Sequence, residues 1–229
     1  MSARAAADAM VVRFSVRQRL EHVAIMVLFL VLALTGFPQK FFETGWAVSV
    51  VTLLGGIDTV RWLHRMAGIV LAALAILHLV VSVVLAATRG SWAIVPVRAD
   101  FTDAVQTLRY YLGASDEHPR FDRYDYRQKF EYWGLVLGGL LMIVTGFILY
   151  LPVLVTRVLP AELIPAAKVA HSNEGLLAFL VVITWHVYNA HLSPDVFPFD
   201  TSIFTGRISR KRLEHEHPLE AARLARRHD

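Results

Sequence analysis

The sequence predicts an all-α integral membrane protein, a four-helix bundle with both termini in the cytoplasm. Three observations predict it. The 229-residue chain is 55% hydrophobic, with a mean hydropathy of +0.48, too apolar for an ordinary soluble domain. Its charges leave four long gaps. There are 18 uncharged residues between Glu21 and Lys40, 23 between Arg65 and Arg89, 25 between Glu131 and Arg157, and 20 between Glu174 and Asp195. A helix needs about 20 mostly apolar residues to cross the hydrocarbon core. With the N-terminus inside, 18 of the 23 Lys and Arg fall on the cytoplasmic side and only Lys40, Arg61, Arg65, Arg157 and Lys168 on the other. That bias sets the orientation and accounts for the net charge of +4 without a nucleic-acid partner.

The elements follow in order. Residues 1–19 form a basic cytoplasmic arm with Arg4, Arg13, Arg17 and Arg19. The first span covers about Leu20–Phe37. It lacks a small-residue cleavage site after its apolar core and is expected to stay in the mature protein. The uncharged run Thr44–Ile57 is too short to cross and reads as an interfacial or re-entrant piece, with Trp46 and Trp62 as interface anchors. The second span runs from about Val60 to Ala87. The inner loop 88–129 is polar, and Phe101–Leu112 has the spacing of a surface helix. The third span is about Tyr132–Tyr150, stopped by Pro152, and the fourth runs from near Pro165 to before Pro194. The transmembrane domain is thus 20–192, and 193–229 is a cytoplasmic tail ending in a short charged helix. No internal repeat is evident.

The histidines carry the chemistry. His22, His64, His78, His171, His186 and His191 lie in or beside the spans. His64 and His78 are 14 residues apart on one span, and His171 and His186 are 15 apart on another. Those gaps rise about 21 and 22 Å along a helix and return to within about 40° and 60° of the same face. Two such helices could hold two stacked haems by bis-histidine ligation. Sorted by depth, His64 pairs with His171 near the outer face. The inner site has His186, with either His22 or His78 opposite. A third haem, using His22 with His191 or His78, is also compatible. His118, His215, His217 and His228 are expected in solvent. Arg61 and Arg65 flank the outer ligand as propionate partners or as snorkelling cations. Gly68, Gly138 and Gly139 are candidate sites of close approach, and Gly146 beside Thr145 reads as a packing spot.

The chain has no cysteine. That excludes cysteine-bound iron–sulfur clusters, covalently attached haem and thiolate metal sites. Redox work would need non-covalent cofactors held by histidine, with any iron–sulfur relay supplied by a partner.

Arg19-Leu20-Glu21-His22, Leu63-His64-Arg65 with Gly68, Tyr124 with Gln128-Lys129 and Trp133, His171 with Gly175, Trp185-His186, Thr205-Gly206-Arg207 and Glu216-His217-Pro218 form a larger pattern. It resembles the b-type dihaem cytochrome subunits of membrane formate dehydrogenases, nickel–iron hydrogenases and thiosulfate reductases, over about Arg13 to Leu219. The resemblance implies an outer haem b on His64 and His171 and an inner one on His22 and His186. The 14 and 15 spacings also resemble the cytochrome b of quinol-oxidising complexes, on which pattern His78 would face His186. The resemblance further implies menaquinone beside the inner haem, at Tyr124, Asp125, Gln128 and Lys129. Asp125 and Arg127 depart from the asparagine and glycine common there.

The function expected is therefore electron transfer in the cytoplasmic membrane of a bacterium or archaeon. Electrons would pass between quinone and a partner subunit: a multihaem cytochrome c, an iron–sulfur protein, or a hydrogenase or dehydrogenase. The chain alone is not expected to be catalytic. The alternative is a histidine-based proton-coupled or metal transporter, which calls for charged residues inside the spans and broken helices. A membrane di-iron oxygenase would need its histidines clustered at one depth.

Overall fold

The computed structural model describes residues 9–194 and 196–226. Residues 1–8 of the expected arm, with Arg4, lie outside the described residues, as do Asp195, Arg227 and His228. In chain order the elements are β1 (Met10–Val12), α1 (Val16–Lys40), α2 (Gly45–Leu53), α3 (Ile57–Arg89), α4 (Arg98–Tyr111), α5 (Tyr126–Tyr150), α6 (Pro152–Val155), α7 (Leu163–Val181), α8 (Ser202–Thr205), β2 (Arg207–Ser209), α9 (Arg210–Glu216) and α10 (Pro218–Ala225). Two π-helical segments, Val182–His186 and Tyr188–Leu192, continue α7. Among the described residues four helices are long and apolar enough to cross a membrane: α1, α3, α5 and the continuous Leu163–Leu192. All-α architecture with four spans stands, each helix overrunning its expected limits by a few residues. The Thr44–Ile57 run holds the nine-residue α2.

The chain divides into two compact units whose boundaries fall inside α1, α3 and α5. One comprises residues 20–83 and 135–200, the other the described parts of 1–19, 84–134 and 201–229.

In the first unit the large apolar side chains of the spans, such as Leu30, Leu34, Val80, Val83, Leu137, Leu140, Leu177 and Leu180, are exposed. Lipid is as apolar as leucine, so helices meet instead through small residues. The described buried positions are accordingly mostly small, Thr35, Pro38, Ala47, Ala67, Ala72, Thr145 and Ala167, with the larger Val60 beside them. Phe37 of α1 meets Phe179 of α7 edge to face, with ring centroids 4.8 Å apart. Lys40 Nζ donates to Asn173 Oδ1 at 2.7 Å.

In the second unit arm, inner loop and tail are joined. β1 pairs antiparallel with β2, Val11 opposite Ile208. Such a pairing has no local signal, because three-residue strands are too short to show a period. Arg13 is buried, pairs with Glu220, and donates to the Arg123 carbonyl. Arg123 donates to Glu220 at 2.7 Å and to the Arg13 carbonyl at 2.8 Å. His217, expected in solvent, is buried: Nδ1 lies 2.7 Å from the Asp122 carbonyl and Nε2 lies 3.1 Å from Arg13 Nη2. Burial and then the Arg13 charge push its pKa down to about 4. The ring is therefore neutral, donating at Nδ1 and accepting at Nε2. His118 and His215 are exposed, as expected.

Two helix starts follow a reciprocal cap. Ser15 Oγ accepts from the Gln18 amide at 3.3 Å while Gln18 Oε1 accepts from the Ser15 amide at 3.0 Å. Asp125 Oδ1 accepts from the Gln128 amide at 2.8 Å while Gln128 Oε1 accepts from the Asp125 amide at 3.2 Å. Both are capping boxes that satisfy orphan amides at a helix start.

Candidate functional site: paired imidazoles in the membrane unit

The histidines of the membrane unit are delivered by α1, α3 and α7. His64 of α3 and His171 of α7 lie with ring centroids 6.2 Å apart and planes at 77°. His22 of α1 and His186 of the extended α7 lie with centroids 6.1 Å apart and planes at 37°. His78 turns elsewhere: its Nδ1 lies 2.9 Å from Glu21 Oε2. His191 stacks on Phe199, centroids 4.1 Å apart.

These separations test the fit of an iron between the rings. A histidine nitrogen sits about 2 Å from a bound first-row metal. A five-membered ring with sides of about 1.35 Å has its atoms about 1.15 Å from the centre. Two opposed imidazoles on one iron therefore place their centroids about 6.3 Å apart. Both observed pairs, at 6.2 and 6.1 Å, lie close to that separation.

The fifteen-residue spacing on α7 is accommodated by the backbone. The helix is π-helical over Val182–His186, with the Val187 amide bonding back to the Val182 carbonyl. A π turn takes up an additional residue. Fifteen residues then behave as about fourteen, and His171 and His186 stay on one face.

Neighbouring side chains grip the outer pair. Thr35 Oγ1 of α1 lies 3.0 Å from His64 Nδ1, and Thr145 Oγ1 of α5 lies 3.0 Å from His171 Nδ1. The next residue on each helix is glycine. A Cβ on Gly36 would come 3.1 Å from His64 Cε1, and one on Gly146 would come 3.3 Å from His171 Cε1. Gly146 is thus the floor beneath a ring, more than a packing spot. Of the glycines marked for close approach, Gly138 faces the Glu174 carboxylate, Gly68 has only Leu32 within 4 Å, and Gly139 has nothing. Thr35 and Gly36 escaped the sequence reading. A signal existed: Thr-Gly-Phe occurs at 35–37 and again at 145–147.

Glu174, which bounds the uncharged run of the fourth span, lies inside that helix, Leu163–Leu192. It faces α5 at Gly138, where any Cβ would collide with Oε1. Arg61 and Arg65 are exposed, and the Arg65 guanidinium lies 5.5 Å from the Tyr150 ring centroid. Among the described residues no three His, Asp or Glu side chains converge as a metal site.

The expected quinone segment belongs to the other unit. Asp125 is buried in its capping box and also pairs with Arg127 at 2.7 Å. Lys129 is buried and donates to both carboxylate oxygens of Asp100, at 2.7 and 2.9 Å. Gln128 is spent partly on the cap, and the Tyr124 ring carries the Arg13 and Arg123 guanidiniums at 5.8 and 5.5 Å. All four residues therefore also have partners within this unit.

A family model described as prokaryotic cytochrome b561 matches residues 13–196. Among curated proteins none matches the chain.

Proposed function

The chain belongs to the prokaryotic cytochrome b561 family, a family of multi-pass membrane haem b electron-transfer subunits, and on that premise we propose a two-haem relay between a partner redox protein and the quinone pool. The observation that carries this reading is the pair of imidazole separations, 6.2 and 6.1 Å. His64 and His171 hold the outer haem, and His22 and His186 the inner one. Haem b, when bound, supplies one-electron transfer, and two imidazole ligands leave no open iron position for oxygen.

The residues around the pairs have definite tasks. Four histidines from three helices clamp the two groups and fix their depth. Phe37 and Phe179 close apolar surface between α1 and α7. Arg61 and Arg65 offer cations for haem carboxylates at the outer end. His78 is assigned to the Glu21 carboxylate at 2.9 Å and away from iron. Menaquinone exchange is assigned to the polar segment 124–129, where Tyr124 supplies the ring and Lys129, held by Asp100, supplies the proton-bearing ammonium. The partner is a multihaem cytochrome c, an iron–sulfur protein, or a hydrogenase or dehydrogenase subunit.

The test is a reduced-minus-oxidised spectrum of the purified chain with a haem-to-protein ratio. Two haems b are expected, His22→Ala losing one and His78→Ala keeping both. No b-type signal refutes the reading, and loss of haem from His78→Ala but not His22→Ala refutes the inner assignment. Reconstituted in liposomes, the haems should be reduced by menaquinol, and failure to do so removes the quinone limb.

A further inference from the structure

We infer that Thr35 and Thr145 are positioning residues for the outer haem, each holding its histidine as the Nδ1–H tautomer so that Nε2 faces the iron. The inference rests on the haem reading above and deepens it.

Both hydroxyls are shut away from solvent, at 1% and 5% exposure, so each must find its partners inside the protein. Each has one proton. Thr35 Oγ1 lies 2.7 Å from the Val31 carbonyl, and Thr145 Oγ1 lies 2.6 Å from the Leu141 carbonyl. A carbonyl only accepts, so the hydroxyl proton is committed there. What each threonine oxygen then presents to the imidazole at 3.0 Å is a lone pair. Two acceptors cannot bond to each other, so Nδ1 carries the hydrogen. A neutral imidazole has a single N–H. Nε2 is left with its lone pair, the form needed to bind a metal.

Glycine completes the grip. Gly36 and Gly146 follow the two threonines, and a Cβ at either would press on Cε1 of the same ring at 3.1 or 3.3 Å. Threonine fixes the ring through a bond, and glycine lets the ring come close enough to make it. The device occurs twice, α1 acting on α3 and α5 acting on α7, from the same tripeptide at 35–37 and 145–147. A hydroxyl is a neutral acceptor. It orients the ligand and raises its basicity modestly, where a carboxylate would pull the imidazole toward an anion.

The experiment uses the full chain with its haems. Thr35→Val and Thr145→Val remove the hydroxyl at similar shape, and Thr35→Ser and Thr145→Ser keep it. Haem content and midpoint potentials are read together, and the outer wave is identified as the one absent from His64→Ala. The valine variants are expected to hold the outer haem about 10–100-fold more weakly and to shift its potential upward. The serine variants should restore both, with the inner wave unmoved throughout. Wild-type retention and potential in both valine variants would overturn the inference. So would loss of both haems together, or an outer-haem defect that serine does not repair. A wild-type protein with no b-type spectrum would overturn the haem reading itself, and this inference with it.

Discussion

Replacing Gly36 by alanine puts a methyl group 3.1 Å from His64 Cε1. Carbon atoms in good contact lie at least about 3.5 Å apart, so the imidazole must retreat by about 0.4 Å. A metal site tolerates about 0.2 Å, and the retreat exceeds it. Over-packing of this kind costs about 1–3 kcal/mol. At about 1.4 kcal/mol per tenfold, that is a 5- to 150-fold loss of affinity at the outer haem. Gly139→Ala is the control, since a Cβ there meets nothing within 4 Å and alanine is a better helix former by about 0.5–1 kcal/mol. The assay is the haem-to-protein ratio after purification at graded haem supply, with the potential of the remaining wave. Gly36→Ala should lose the outer haem first and Gly139→Ala should match the wild type. Full retention in Gly36→Ala, or an equal loss in Gly139→Ala, would refute the reasoning.

Two further expectations concern the unit formed by arm, loop and tail. Burial, and then Arg13, lower the His217 pKa from 6.5 to about 4, so the unfolded chain binds the extra proton between those values. Stability is complete above about pH 6.5 and falls by about 3 kcal/mol as pH drops toward 4. His217→Gln should flatten this acid limb in thermal unfolding of the detergent-solubilised protein, and an unchanged slope would count against the assignment. Glu220→Gln leaves the Arg13 and Arg123 guanidiniums without the carboxylate they share. Breaking a buried pair from one side costs about 3–5 kcal/mol, so its unfolding midpoint should drop clearly, and a wild-type midpoint would show that the cluster does not hold the unit.

The sequence by itself determined the four spans, since a charge inside hydrocarbon is costly and charge-free runs mark the crossings. It also determined the candidate ligands, because depth follows from position along a span, and for the outer site that was enough to bring His64 to His171. The inner site needed the tertiary structure. His22 and His78 sit at similar depth, and only helix rotation, with the π turn before His186, turns one toward His186 and the other toward Glu21. Periodicity does not report such rotations. The threonine–glycine grips were present as a repeated tripeptide, yet their meaning depends on which helix lies across from them. Likewise His217 looked like a solvent residue in a charged tail, and its burial comes from Arg13, 204 positions away in the chain. Local pattern decides what each segment is. Contacts between distant segments decide which polar group meets which, and the imidazole pairs of this protein are made of such contacts.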